Sequence, residues 1–247
     1  MTGGASMNAG PLALALGLGG WPAVAEELII QRDVMLNAAV RCAYHVQHLT
    51  TAGGVEIVRR ARQAGLPVTA EASPHHLLLT EEACASYDPQ AKMNPPLRTR
   101  GDIDAILAGI RDGTITVLAT DHAPHTREEK ELEFAAAPFG IIGLDCALPL
   151  YIKALIETGT LDWPRMLAMM TINGAKLCGL RGKGTLADGA DGDVTIIDPA
   201  ERWAIDVNQF ASRSRNCPFD GWPVTGRAIA TIVGGQIKMN RDAARLK

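Results

Sequence analysis

The chain has few aromatic residues, no CxxC spacing, no block of like charge and no apolar run long enough to cross a bilayer. Each deficit closes off a class of function. Lys and Arg number 24 against 27 Asp and Glu, a net charge of −3 with a pI near 6.1, so nucleic-acid phosphates have no electrostatic reason to bind. The five cysteines (Cys42, Cys84, Cys146, Cys178, Cys217) are odd in number and scattered, as reduced buried thiols are, and form neither a disulfide frame nor a zinc ribbon. The N-terminus has no basic n-region, and residues 11–20 (PLALALGLGG) are too short and too Gly-rich to span a membrane. The expectation is a cytoplasmic protein with a small-molecule partner, no nucleic acid and no membrane.

At 247 residues and 47% hydrophobic composition, the chain can bury a core of one large domain or one and a half ordinary ones. The apolar periodicity predicts a helix over 22–39, a strand over 42–49, a helix over 53–64 and a strand over 68–72. Strand, helix and strand within some thirty residues form the βαβ crossover of a parallel sheet. A short strand over 91–96, a helix over 102–111 and a strand over 114–120 continue the alternation. A solvated charged loop over 127–133 and helices over 146–157 and 164–171 follow. From about residue 182 the grammar changes to short β segments, at 184–186, 193–198 and 229–237, separated by Gly and Asp turns. The expected division is a partial barrel over 1–180 and a β-sandwich part over 181–247.

The segment TITVLAT (114–120) is β-branched and apolar, as in a strand buried on both faces, and it runs straight into Asp121. Catalytic groups of parallel α/β proteins collect at such C-terminal strand ends, although a lone Asp can equally cap a turn before Pro124. All six histidines fall in pairs at predicted strand ends: His45 with His48, His75 with His76, and His122 with His125. Side chains alternate along a strand, so only one of His45 and His48 can face the cleft. His48 is nearer the end and is the candidate, leaving His45 against the helical layer. Two imidazoles and a carboxylate converging from different strands are what a hydrolytic zinc site needs. Around Pro95-Pro96, Lys92, Asn94 and Arg98 form either a plain turn or an amide and cations facing an anionic planar substrate.

Taken together, PHHLLLT, KMNPPLR, TDHAPHT, YHVQHLTTAGGVEIVRRA and KGTLADGADGDVTIIDP resemble class I dihydroorotases of the cyclic-amidohydrolase superfamily, over nearly the whole chain. The resemblance implies an α/β fold, a TIM-like (β/α)8 metal-dependent hydrolase barrel with a small β-sandwich. It implies His48, His75 and Asp121 as metal ligands, Asp121 also as catalytic acid/base, and Asn94, His125, Phe139 and Gly140 as substrate-binding positions. The cofactor implied is Zn2+, two ions per complete site. The reaction implied is the reversible hydrolysis of dihydroorotate to N-carbamoyl-L-aspartate in pyrimidine (UMP) biosynthesis, with a homodimer or an aspartate transcarbamoylase partner.

One departure shapes the expectation. The family opens with a His-x-His strand and a bridging carboxylate, and no His precedes His45 here. The chain is therefore expected to be the C-terminal portion of such an enzyme, half a barrel, weak or inactive alone. The rival readings are an allantoinase or dihydropyrimidinase-type enzyme and a non-catalytic scaffold subunit.

Overall fold

A computed structural model describes residues 3–241. The chain forms two compact units. One runs up to Asp145 and takes in Val207–Pro218; the other comprises Cys146–Asp206 and the described residues from Phe219 onward.

The first unit opens with β1 (Met7–Asn8), α1 (Pro11–Leu16) and β2 (Gly20–Trp21), the two strands pairing parallel in a sheet of their own. Helix α2 (Ala23–Val40) leads into β3 (Tyr44–Val46), then α3 (Ala52–Gln63) and β4 (Val68–Ala72). The short helix α4 (His75–Leu78) leaves the end of β4, and α5 (Arg100–Asp112) precedes β5 (Val117–Leu118). Strands β3, β4 and β5 lie side by side, all parallel, with Val46 opposite Ala70 and Ala72 opposite Leu118. This is the βαβ grammar expected from the sequence.

Alternation sorts the faces. Val68, Ala70 and Ala72 are buried and Thr69 and Glu71 are half-buried, so the sheet has one apolar and one polar face. Tyr44 and Val46 share the apolar face by register, and the Tyr44 hydroxyl donates to Asp33 of α2 at 3.3 Å. His45 therefore lies on the opposite, polar face with Thr69 and Glu71. The expectation that it packs against the helices is corrected.

Helix α5 begins where Thr99 and Asp102 form a reciprocal capping box and ends at Gly113 with φ 82°, which together fix the entry to β5. Thr51 caps α3 with its side chain alone, accepting from Gly54 N at 3.1 Å, a contribution of about 1 kcal/mol.

Several expected elements differ. The strand expected over 91–96 is instead a 3-10 turn, Pro89–Ala91, and a loop with a cis Asn94–Pro95 peptide, since two prolines remove two ladder donors. The strand over 114–120 pairs only at Val117–Leu118. The loop over 127–133 opens with a helical turn, α6 (Arg127–Lys130), capped by Thr126 and Glu129, and its Lys130 is buried.

The second unit holds α7 (Ala147–Tyr151), a π turn (Ile152–Ile156), α8 (Trp163–Met170) and α9 (Ile172–Leu177). An antiparallel sheet in the order β6 (Val194–Ala204), β7 (Pro223–Val233) and β8 (Gln236–Asn240) completes it. Residues 184–186 are irregular, not the β segment expected. Among the described residues no helix is long and apolar enough to cross a membrane.

Candidate active site at the strand ends

The C-terminal ends of β3, β4 and β5 carry His48, Ser73 with His75, and Asp121 respectively. Parallel pairing puts these ends on one rim of the sheet, where the chain turns away and side chains are free of the ladder. His48 (φ 33°) and Asp121 (φ 48°) both sit in the left-handed region, which a non-glycine residue occupies at a cost of about 1–2 kcal/mol. Left-handed backbone and an ionisable side chain coincide at both strand ends.

Buried polar atoms without a partner gather on the same rim: His48 Nδ1, Ser73 Oγ, His75 Nε2 and His76 Nδ1. Each unpaired buried nitrogen or oxygen costs of order 1–3 kcal/mol, so the cluster is poised for a ligand. Burial pushes the His75 imidazole down to about 3, with the neighbouring His48 adding to the effect, and it holds His76 well below the ordinary range. Both rings are therefore neutral, the form that donates a lone pair. His76 Nε2 lies 2.9 Å from the Pro95 carbonyl and carries the proton there, because a carbonyl only accepts. Asp121 is pushed above the usual carboxylate range by burial; His48 opposes the rise and Glu71 adds to it.

Glu71, which the sequence reading passed over as a strand residue, sits at the centre. Its Oε2 accepts from His45 Nε2 at 3.0 Å and its Oε1 from the His48 backbone N–H at 3.3 Å. A groove of about 610 Å³ opens beside these groups, lined in part by Trp21, Glu26, Tyr44, His45, His48 and Pro95.

A second cluster lies around His125. Its Nε2 donates to the Phe139 carbonyl at 2.8 Å, and its backbone N–H donates to Asn216 Oδ1 at 3.4 Å. Asn216, buried and also unremarked in the sequence, donates from Nδ2 to the carbonyls of Ala123 at 2.9 Å and Gly140 at 3.3 Å. His122 Nδ1 accepts from Gly143 N at 3.1 Å. The structure thus brings His125, Phe139 and Gly140 together. Of their backbone atoms, Phe139 O is engaged by His125 and Gly140 N by the Lys92 carbonyl at 2.8 Å. Asn94 is the exposed residue in a run otherwise buried from Ala91 to Arg98.

Neither cation beside it faces a cleft. Lys92 Nζ donates to the carbonyls of Ala135 and Ala137 at 2.9 and 2.6 Å, and the Arg98 side chain is 1% exposed and bonded to Asn8, Trp21, Thr50 and Glu26. Both are framework residues, so of the two readings left open for this turn the substrate-facing cation is not the one observed.

The imidazoles of His48 and His75, the second held neutral by burial, and the Asp121 carboxyl group are of the right chemical kind for a divalent metal. In number they fall short: among the described residues no group of three or more His, Cys, Asp or Glu side chains converges closely enough to hold an ion.

Residues 25–238 match the sequence pattern of the amidohydrolase family. The chain is 50% identical over 237 residues to the dihydroorotase of Syntrophotalea carbinolica, covering 96% of this chain and 55% of that protein. It is 45% identical over 244 residues to the dihydroorotase of Bacillus caldolyticus, covering 99% and 57% respectively. Among solved structures, the L-hydantoinase (dihydropyrimidinase) of Arthrobacter aurescens superposes with a TM-score of 0.83 at 32% identity, covering 87% of this chain and 49% of that one. The D-hydantoinase of a Thermus species gives a TM-score of 0.83 at 26% identity, covering 94% and 52%. The chain spans about half the length of the relatives it matches.

Proposed function

Because the chain belongs to the amidohydrolase family, we propose that it is the strand-end portion of a dihydroorotase, catalysing the reversible hydrolysis of dihydroorotate to N-carbamoyl-L-aspartate in cytoplasmic pyrimidine biosynthesis. The observation that carries this reading is the single rim on which β3, β4 and β5 present His48, His75 and Asp121. Agreement with relatives called dihydroorotases at 45–50% identity supports the substrate. The proposal includes a half barrel over 1–180, a β-sandwich part over 181–247, and the possibility of a homodimer or an aspartate transcarbamoylase partner.

Zinc is the proposed ion, held in part by His48, His75 and Asp121, with the remaining donors supplied from outside the described residues. When bound, it supplies Lewis-acid activation of water and of the amide carbonyl. This chain's own residues do the rest. Asp121, half-buried at the rim, is placed to receive the proton of the attacking water and pass it to the leaving ring nitrogen. An amide nitrogen cannot leave unprotonated, so this transfer is required whatever activates the water. His125 and Asn94 recognise the substrate, with Phe139 and Gly140 shaping the wall behind them.

The hydantoinase neighbours favour a second reading, a related enzyme opening a different cyclic amide. One experiment separates the two. The chain is assayed alone and after being joined to the part of the Syntrophotalea carbinolica protein that it does not match, with dihydroorotate, allantoin and dihydrouracil as substrates. The expected result is little or no activity alone and dihydroorotate opening by the completed protein, lost in His48→Ala and Asp121→Asn. Preference for another ring would favour the second reading. No activity from a folded, zinc-loaded completed protein would favour a non-catalytic scaffold subunit.

A further inference from the structure

The turn that carries His48 is short, strained and fastened from several directions. His48 follows β3 by two residues and adopts φ 33°, a conformation that an L-residue leaves unless its surroundings hold it. Downstream, Thr50 N–H donates to Glu26 Oε1 at 2.8 Å, and the Thr50 hydroxyl bonds to the same carboxylate and to Arg98. Leu49 N–H donates to the Glu71 backbone carbonyl at 3.1 Å. At His48 itself the partner is a side chain, the Glu71 carboxylate, which accepts the backbone N–H through Oε1 at 3.3 Å.

The other carboxylate oxygen is held in turn. His45 Nε2 donates to Oε2 at 3.0 Å, and His45 Nδ1 lies 2.7 Å from Thr69 Oγ1. A carboxylate oxygen only accepts, so His45 Nε2 carries a proton towards Glu71, while Nδ1 pairs with the Thr69 hydroxyl, which also reaches the Tyr44 carbonyl at 3.5 Å. Glu71 and His45 are 13% and 15% exposed, so water competes weakly for these bonds. The chain Thr69, His45, Glu71, His48 runs along the polar face of the sheet and ends on the backbone of a residue whose own Nδ1 is buried and unpartnered.

We infer that Glu71 is the positioning residue of the His48 turn: buttressed by His45, it clamps the left-handed backbone and thereby aims the His48 imidazole at the rim. The inference rests on the reading of His48 as a metal-facing ligand, but its geometric part can be tested without metal. A carboxylate is suited to the task because one oxygen is needed for the amide and the other for the buttress.

The test uses the full chain, 15N-labelled, as wild type, Glu71→Ala, Glu71→Gln, His45→Phe and His48→Ala. Amide hydrogen exchange at His48, read by NMR in zinc-free buffer, should accelerate about tenfold in Glu71→Ala, the loss of one hydrogen bond, while the sheet amides of Val46 and Ala70 hold their protection. Glu71→Gln keeps an acceptor oxygen and should recover most of the protection. His45→Phe removes the buttress alone and should give an intermediate rate. Zinc titration of the completed protein carrying the same substitutions should show affinity about 10–100-fold weaker in Glu71→Ala, with Glu71→Gln nearer the wild type. Should Glu71→Ala fail to fold, Glu71→Gln and His45→Phe still decide the matter through the ordering of their exchange rates. Wild-type exchange at His48 in every folded Glu71 and His45 variant overturns the inference. If instead exchange behaves as expected but zinc affinity is untouched by His48→Ala, the positioning stands and the metal-ligand reading of His48 falls.

Discussion

Asn216 Nδ2 donates to the Ala123 carbonyl at 2.9 Å, joining positions 93 residues apart in sequence. The same side chain bonds Gly140 O and receives His125 N–H, so one buried amide ties the loop after β5 to the loop at 139–140. Asn216→Ala should therefore destabilise the fold by about 1–3 kcal/mol, since the Ala123 and Gly140 carbonyls and the His125 N–H each lose this partner, Gly140 O keeping Lys130 Nζ. Urea denaturation measures this. Asn216→Asp keeps the acceptor but sets carboxylate oxygens against both carbonyls, so it should cost at least as much as Asn216→Ala.

Arg98 is the corresponding tie on the other side. Its guanidinium bonds Asn8 and the Trp21 carbonyl at 2.7 Å each, Thr50 at 3.2 Å and Glu26 at 3.3 Å. Arg98→Met leaves the largely buried Glu26 carboxylate without its cation and should cost about 3–5 kcal/mol. Arg98→Lys restores the charge but not the planar fork, so it should recover only part of that loss in the same urea experiment.

These two residues show what the sequence could and could not reveal. Val68–Ala72 was readable to the residue because alternation and the flanking Pro67 are local signals. So was the strand-end placement of the histidine pairs, since a β-branched run followed by a polar cluster needs no tertiary information. Arg98 beside Pro95-Pro96 carried no mark of its partners, which lie at Asn8, Trp21, Glu26 and Thr50. A buried arginine and a ligand-facing arginine look alike until the distant acceptors are seen. Asn216 and Glu71 escaped for the same reason: their roles reside in contacts made 23 to 93 residues away. A carboxylate inside an otherwise apolar strand, VTAEA, was the one available signal for Glu71.

Lys130 gives a pH signature. Burial, aided by the charge of Lys92, pushes its ammonium down from 10.5 to about 8. Its Nζ donates to the carbonyls of Pro138 and Gly140, each at 3.0 Å. Between about 8 and 10.5 the fold releases this proton while the unfolded chain keeps it, so this group makes stability rise with pH across that window, by at most about 1.4 kcal/mol per pH unit. Below about 8 the group is charged in both states and its effect is constant. Tyr44 and Cys84, both raised to about 12, act in the opposite sense at high pH, so the comparison must be with a variant. The stability of the wild type relative to Lys130→Met should increase on going from about pH 7.5 to about pH 10. A constant difference across that range would show that Lys130 titrates normally.

Gly140 tests the geometry of the His125 cluster most directly. It adopts φ 105°, and a Cβ built there would stand 2.6 Å from the Ala123 Cβ, closer than carbon atoms approach without something moving. Gly140→Ala therefore combines two costs, backbone strain of about 1–3 kcal/mol and a steric clash against the loop that carries His125. The two are separable. Ala123→Gly removes the clashing methyl and leaves the strain, so the double variant should regain part of the lost stability but not all of it. On the proposed reading, in which His125 and Phe139 face dihydroorotate, Gly140→Ala in the completed protein should also raise KM more than it lowers kcat, because it displaces these two while leaving His48 and Asp121 in place. Full recovery in the double variant would mean that the φ of residue 140 is not held at its present value. No loss in Gly140→Ala would mean that the two loops do not approach as closely as the Asn216 bonds require.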